Sequence, residues 1–302
     1  MDVSGGQVVA NFGPQLLVED SEGQRHPCRP KGRRLRAVCG DRVEWNRGDG
    51  HTGIVTDILP RERELLRPDS RGRIDVLAAN FDQLLVVCSP RPEMDPFFVD
   101  RYLAAAALND TPAVVVFNKL DLLDDDNTFA PLLDEYTRIG YPVVRTSAES
   151  GDGLELLRKQ LADHTNIFVG KSGVGKSSLL NALIPDLEIA TRAVSEATGE
   201  GRHTTAAAIM HRLPDGGAVI DSPGVRDYAP PPISESEMQK AYVEFSGRGE
   251  CRFSDCRHLE EPDCAIKRAV ADGEISERRY ESYRKLLKKL EKLGSGKTGV
   301  RE

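Results

Sequence analysis

Apolar and polar positions alternate in short runs over residues 1–66, as in GQVVANF, QLLVED, LRAVCGDRVEW and TGIVTDIL, with Gly, Pro and Asp between them. Period-two alternation punctuated by turn residues predicts strands. Several short strands in so small a span predict a barrel, of the oligonucleotide-binding (OB) type or, more plainly, an SH3-like barrel without a ligand. After a polar link, Arg67–Arg73 (RPDSRGR), the pattern changes. FDQLLVVCSP, PAVVVFNK, YPVVRTSA and NIFVG are near-continuous Val/Ile/Leu strands, with helices near Asp100–Leu108, Phe129–Ile139 and Leu154–Ala162 between them. Strands of that kind belong to a parallel sheet buried on both faces, in a doubly wound α/β domain. The domain continues through a helix at Lys176–Leu183, a hairpin around Pro214–Gly217 and the strand AVID. After Asp227 the pattern stops, and Pro230–Pro232 opens a helical region with one Cys/His knot. The tail GSGKTGVRE reads as disordered. The expected fold is a multidomain α/β chain: an OB-type β-barrel over residues 1–66, an α/β domain over 74–229 and a helical domain over 230–302.

A length of 302 residues fits that division, being too great for one ordinary core. Hydrophobic residues make up 39% and charged residues 29%, a soluble globular balance. No apolar run approaches the roughly 20 residues that span a bilayer, and MDVSGGQVVANFG carries no basic-then-apolar export signal. The expectation is a cytoplasmic monomer without membrane contact. The formal charge of −7 argues mildly against nucleic acid, but its distribution argues the other way. Arg25–Arg36 (RHPCRPKGRRLR) contains no acid, Arg278–Lys292 is rich in Lys and Arg, and acids gather elsewhere, as at Asp124–Asp126. Basic residues between the barrel strands favour an RNA-facing surface, because Arg and Lys neutralise phosphates whatever the base sequence. Trp45 either stacks on a base or fills the core. Cys28, Cys39 and Cys88 are scattered, and Cys88, within LLVVC, reads as a small buried hydrophobe.

The chemistry sits in four motifs whose order is unusual. NIFVGKSGVGKSSLLNAL places G-x-x-x-x-G-K-S between an apolar strand and an amphipathic helix, the context a phosphate-binding loop requires. Its residues are Gly170, Lys171, Ser172, Gly173, Val174, Gly175, Lys176, Ser177 and Ser178. The glycines let backbone N–H groups turn toward phosphate oxygens, and the helix N-terminus adds partial positive charge. Lys176 is expected to bridge the outer phosphates and Ser177 to ligate Mg²⁺. NKLD, Asn118–Asp121, selects the base. Asp121 accepts two hydrogen bonds from the N1–H and exocyclic amine of guanine, a donor pair adenine lacks. Asn118 is expected on the base edge, the Lys119 stem over the base, and Ser147-Ala148 as a turn offering a backbone N–H to the guanine oxygen. DSPG supplies Asp221 for the Mg²⁺ shell and the Gly224 N–H for the γ-phosphate. Each of these short motifs alone is equally a cap or turn. NKLD and Ser147-Ala148 precede the phosphate loop, whereas in small GTPases they follow it. Such reordering preserves a site whose loops all leave the same edge of a parallel sheet.

GEGRHTT, between the two phosphate motifs, is expected to be the first switch, with Thr204 or, preferably, Thr205 reaching Mg²⁺. Val225 stands where many GTPases carry a water-orienting Gln. His203 is the internal candidate for that task, the alternative being a loop His without a role. Slow basal hydrolysis, dependent on a partner that orders the switch, is the expected behaviour. Two other readings stay open: an RNA-binding protein with GTP as a stabilising ligand, and a P-loop ATPase or kinase, which NKLD argues against.

CRFSDCRHLEEPDC spaces Cys251, Cys256, His258 and Cys264 as C-x4-C-x-H-x5-C. Three thiolates and an imidazole fill a tetrahedral Zn²⁺ shell with no open position, so the expected site is structural, against the alternative of free thiols near a chance His. The last helix, SERRYESYRKLLKKLEKL, has a stripe of Tyr280, Tyr283, Leu286, Leu287 and Leu290, which reads as an ordinary amphipathic face or as an RNA contact.

With NKLD before GKSGVGKS, GRHTT, DSPG and that Cys/His knot, the chain resembles the circularly permuted GTPases, specifically the ribosome small subunit-dependent GTPase A (RsgA/YjeQ) family, over nearly its full length. The resemblance implies a circularly permuted P-loop GTPase that cycles between GTP and GDP. It also implies binding to the small ribosomal subunit and its 16S rRNA late in maturation, hydrolysis stimulated by that subunit, and a water-positioning role for His203. Two features depart from the family pattern: Ala206 follows Thr205 where another Thr is frequent, and the arm before the barrel is short.

Overall fold

In the computed structural model, residues 3–32, 34–48, 52–68, 74–123, 128–184, 187, 208–221 and 235–295 are described. Five strands form the N-terminal barrel: β1 (Val3–Asn11), β2 (Leu16–Glu19), β3 (Arg25–Pro30), β4 (Arg42–Asn46) and β5 (Gly53–Ile58). They pair in the order β1-β2-β3-β5-β4, and β4 returns to β1 to close the ring. β1 serves two partners because it is long, with Val3–Gln7 facing β4 and Gln7–Asn11 facing β2. A register shift between Val8 and Ala10 bends it there, as a bulge does. The interior is Val8, Leu16, Val18, Val43, Val55 and Trp45. Trp45 is 2% exposed and its ring lies 4.6 Å from that of His26, so it fills the core. Gly53 is required beneath it, since a Cβ there would stand 2.8 Å from Trp45 Cε3 and 2.7 Å from Cys28 Sγ. The basic segment is partly strand: Arg25–Pro30 is β3 itself.

The polar link also proved to be structured at its ends. β6 (Glu64–Pro68) and β7 (Ile74–Ala79) pair as an antiparallel ribbon across it. Then come β8 (Gln83–Cys88), α1 (Pro96–Leu108), β9 (Ala113–Phe117), α2 (Ala130–Ile139), β10 (Val143–Arg145), α3 (Leu154–Leu161), β11 (Thr165–Val169), α4 (Lys176–Leu183), β12 (Ala208–Arg212) and β13 (Ala218–Asp221). β10, β9, β8, β11 and β13 run parallel in that order, and β12 pairs antiparallel with β13. All residues of β8 and β9 are buried, as strands covered on both faces must be. β12 pairs in turn with β1, Ala10 opposite Ile209, so barrel and α/β sheet are one hydrogen-bonded surface. Arg212 reinforces the junction with bonds of 2.6 and 2.9 Å to Glu19.

Apart from Asp100 and Arg101, α1 is apolar all round, and its surroundings explain why. Phe98, Val99, Tyr102 and Leu103 pack on the sheet. Ala104 is in a second core with Met238, Tyr242, Phe245, Tyr283, Leu286 and Leu287. A helix covered on both flanks has no polar face to keep. The second core belongs to the C-terminal lobe of α5 (Glu235–Lys240), a 3-10 turn (Val243–Phe245), α6 (Ala265–Ala271) and α7 (Glu277–Ser295). The α7 stripe is therefore interior to this lobe, with Tyr283 and Leu286 fully buried. Among the described residues no helix is long and apolar enough to cross a membrane.

Candidate nucleotide site and Cys/His centre

The loops after β8, β9, β10 and β11 leave the same end of the parallel strands, where crevices form in such sheets. There NKLD meets the phosphate loop. Asn118 is buried and donates from Nδ2 to Val174 O at 3.0 Å. Its Oδ1 accepts from Thr146 Oγ1 and from Ala148 N, both at 3.2 Å. One side chain thus ties three loops together. Lys119 adopts a left-handed backbone, φ 68°, and its Nζ donates to Gly173 O at 2.5 Å and Arg91 O at 2.9 Å. Ser147 donates to Asp121 Oδ1 at 2.5 Å and accepts from Ser150 N at 3.1 Å, which orients an otherwise exposed carboxylate.

Gly175 shows why this contact constrains the sequence. Its φ is 93°, and a Cβ would fall 2.4 Å from Asn118 Nδ2, so any side chain would displace the amide from Val174. Lys176 opens α4 and curls back over the loop, donating to Gly170 O at 2.8 Å and Lys171 O at 3.0 Å. Ser172, Ser177 and Ser178 are exposed on the loop and first helical turn. Lys171 turns its charge aside to Asp95 Oδ2 at 3.0 Å. Asp221 ends β13, where burial pushes its carboxyl up and the Lys176 charge pulls it down. A half-buried carboxylate and an exposed hydroxyl beside one lysine suit a hydrated Mg²⁺. His203, Thr204, Thr205, Gly224 and Val225 lie outside the described residues.

Thr146 and Asp95 are members of this site that the sequence did not single out. Asp95 carried a signal for one role: Asp before Pro96 marks a helix start, and its Oδ1 accepts from Phe97 N and Phe98 N at 3.1 and 3.3 Å. Nothing local announced its bond to the phosphate loop.

In the C-terminal lobe the donor atoms of Cys251, Cys256, His258 and Cys264 lie within 4.8 Å of one another. Cys251 Sγ is 3.9 Å from Cys264 Sγ and 3.6 Å from His258 Nδ1, which is 3.3 Å from Cys264 Sγ. Tetrahedral zinc with ordinary bond lengths requires about 3.8 Å between sulfurs and about 3.5 Å between sulfur and nitrogen. The donor set fits Zn²⁺. Ala265 N donates to Cys251 Sγ at 3.3 Å and Lys267 N to Cys264 Sγ at 3.5 Å, contacts that favour thiolates. Burial pushes the Cys256 thiol up to about 12, and its neighbouring cysteines push the same way. A divalent cation at the centre reverses that preference. Burial also lowers the His258 pKa, keeping the imidazole neutral for ligation.

A family model described as RsgA GTPase matches residues 58–229. The "Small ribosomal subunit biogenesis GTPase RsgA" of Ectopseudomonas mendocina is 42% identical over 292 residues, covering 94% of this chain and 85% of that protein. The protein of the same description from Pseudomonas fluorescens is 42% identical over 296 residues, covering 96% and 86%. Among solved structures, YjeQ from Thermotoga maritima matches with a TM-score of 0.77 and 35% identity over 96% of this chain and 99% of that one. YloQ, a circularly permuted GTPase, matches with a TM-score of 0.74 and 28% identity over 96% of each chain.

Proposed function

The chain belongs to the RsgA GTPase family and is a GTP hydrolase, and from that premise we propose that it binds the small ribosomal subunit late in its maturation, is stimulated by that subunit, and leaves on hydrolysis. The observation that carries the nucleotide part is the pair of bonds from NKLD to the phosphate loop, Asn118 to Val174 and Lys119 to Gly173. They bring the base-selecting motif to the phosphates although it is encoded upstream. Asp121, steadied by Ser147, accepts from the guanine N1–H and amine; Asn118 keeps one amide hydrogen for the base. The Ala148 N–H, which donates to Asn118 Oδ1 at 3.2 Å, shares its hydrogen with the base oxygen once nucleotide is bound, and backbone N–H groups from Gly170 to Ser178 hold the phosphates with Lys176.

Ser177, Asp221 and Thr205 would hold Mg²⁺, which supplies charge neutralisation on the phosphate oxygens. His203 positions the attacking water, since Val225 has no polar group to do so, and the Gly224 N–H and Thr204 complete the γ-phosphate side. Zn²⁺ on Cys251, Cys256, His258 and Cys264 closes the small C-terminal lobe and has no part in the chemistry. The barrel and its Arg25–Arg36 segment face 16S rRNA, where Arg and Lys neutralise phosphates. The protein acts as a monomer in the cytoplasm, where subunits are assembled, with residues 1–66, 74–229 and 230–302 as its three functional units.

The test is GTP turnover titrated separately with small and large ribosomal subunits. Turnover is expected to rise with the small subunit only, and His203→Ala to abolish the rise. Turnover indifferent to both subunits refutes the proposal.

A further inference from the structure

α1 is gripped at one end by the phosphate loop and along its flank by the Cys/His lobe. Asp95 divides its carboxylate between these tasks: Oδ1 caps α1, while Oδ2 holds Lys171 of the phosphate loop at 3.0 Å. The Lys171 ammonium also stands 5.7 Å from the centroid of the Phe98 ring, on the first turn of α1. The loop leading into the helix adds two contacts. Arg91 O accepts from Lys119 Nζ, and Pro92 packs so near Gly173 that a Cβ there would lie 3.5 Å from its ring. An exposed ion pair alone is worth little, but here charge, packing and a cap converge on one helix start.

Five residues on, about 7.5 Å along the axis, Asp100 is fully buried and receives the lobe. Arg278 and Arg279 of α7 each reach it at 2.7 Å, and Ser282 donates to it at 2.5 Å. Tyr136 of α2 donates at 2.9 Å. Arg279 is itself fully buried and held on its other side by Glu244 at 2.6 and 3.1 Å. A carboxylate with four donors, three of them from α7, has a fixed direction. α1 cannot slide or turn without straining charge-assisted bonds, of which the one from Arg279 is sealed from water.

We propose that α1 couples the phosphate loop to the docking of the lobe, with Asp95 and Asp100 as positioning residues: nucleotide in the loop favours the docked lobe, and the docked lobe favours nucleotide. By linkage the two effects are equal in size. The proposal rests on the reading of Gly170–Ser177 as the phosphate site. α1 precedes the phosphate loop in the chain, so this coupling needs neither DSPG nor the segment that follows it.

The test uses the full-length, zinc-loaded protein with GDP as the probe. Hydrogen exchange of residues 277–290 is measured with and without saturating GDP, and GDP affinity is titrated in parallel. Wild type is expected to exchange at least about fivefold more slowly in α7 with GDP bound. Arg278→Gln, a change at a half-buried position, is expected to weaken GDP by a similar factor, with Arg278→Lys restoring part of the loss. Asp95→Asn keeps a competent cap but deletes the charge facing Lys171, and its α7 exchange is expected to ignore GDP. Zinc content equal to wild type checks that each variant keeps its lobe. Wild type that binds GDP without any change in α7, or Asp95→Asn with the full response, overturns the coupling. Wild type that binds no GDP sinks the nucleotide reading itself.

Discussion

Replacing Asn118 by Ala separates two roles that a guanine-nucleotide motif can give this residue, reading the base and holding the phosphate loop. The side chain is 1% exposed and makes three hydrogen bonds, to Val174 O, Thr146 Oγ1 and Ala148 N. Ala leaves those partners unpaired in a buried setting, at about 1 kcal/mol each and so about 3 kcal/mol in total. If that cost falls on the closed loop, affinity drops about 100-fold. Because the loss is in loop organisation, it must extend to a ligand with no base at all. Isothermal titration with GDP and with pyrophosphate tests this: both are expected to weaken, pyrophosphate nearly as much as GDP. If Asn118→Ala weakens GDP and leaves pyrophosphate untouched, the residue serves the base alone and the loop-tying account is wrong.

Three other changes probe different parts of the molecule. Asp121→Asn replaces an acceptor by an amide donor, so preference is expected to move from guanosine to xanthosine diphosphate, whose 2-oxo group accepts where guanine donates; competition binding reads the shift. His211 on β12 is 9% exposed, and burial first, then the Arg25 charge, lowers its pKa to about 4. The unfolded chain binds this proton near pH 6.5 and the fold does not, so stability falls as pH drops from about 6.5 to about 4, by about 3 kcal/mol in all. Thermal unfolding across that range is expected to show a steeper decline in wild type than in His211→Gln. Cys264→Ser removes a zinc ligand but leaves a residue that caps α6 equally well. Elemental analysis is expected to find no bound zinc and limited proteolysis to cut first in residues 246–275, whereas retention of one zinc per chain would count against the four-ligand site.

The sequence by itself settled what depends on short-range order. Apolar runs on period two and Val-rich runs between helices placed most strands of the barrel and the sheet, because such patterns have one stable way to bury themselves. The runs of β3, β6 and β7 carried no such signal. Motifs whose chemistry is local could be named as candidates in the same way: the glycines of the phosphate loop, the spacing of Cys251, Cys256, His258 and Cys264, and the carboxylate of Asp121. The tertiary structure decided whatever depends on residues far apart in the chain. Asn118 meets Val174 across 56 positions, and a four-letter motif cannot say that its amide faces the loop as well as a base. Asp100 and Arg279, charged yet fully buried 179 positions apart, give each other the reason to leave water, and no local pattern announces that pairing. The same holds for β1, whose pairing with β12 joins the barrel to the α/β sheet. Hydrophobic period reports which face of an element is covered, but not by what, since burial has no direction along the chain. Partners are chosen only when the whole surface closes.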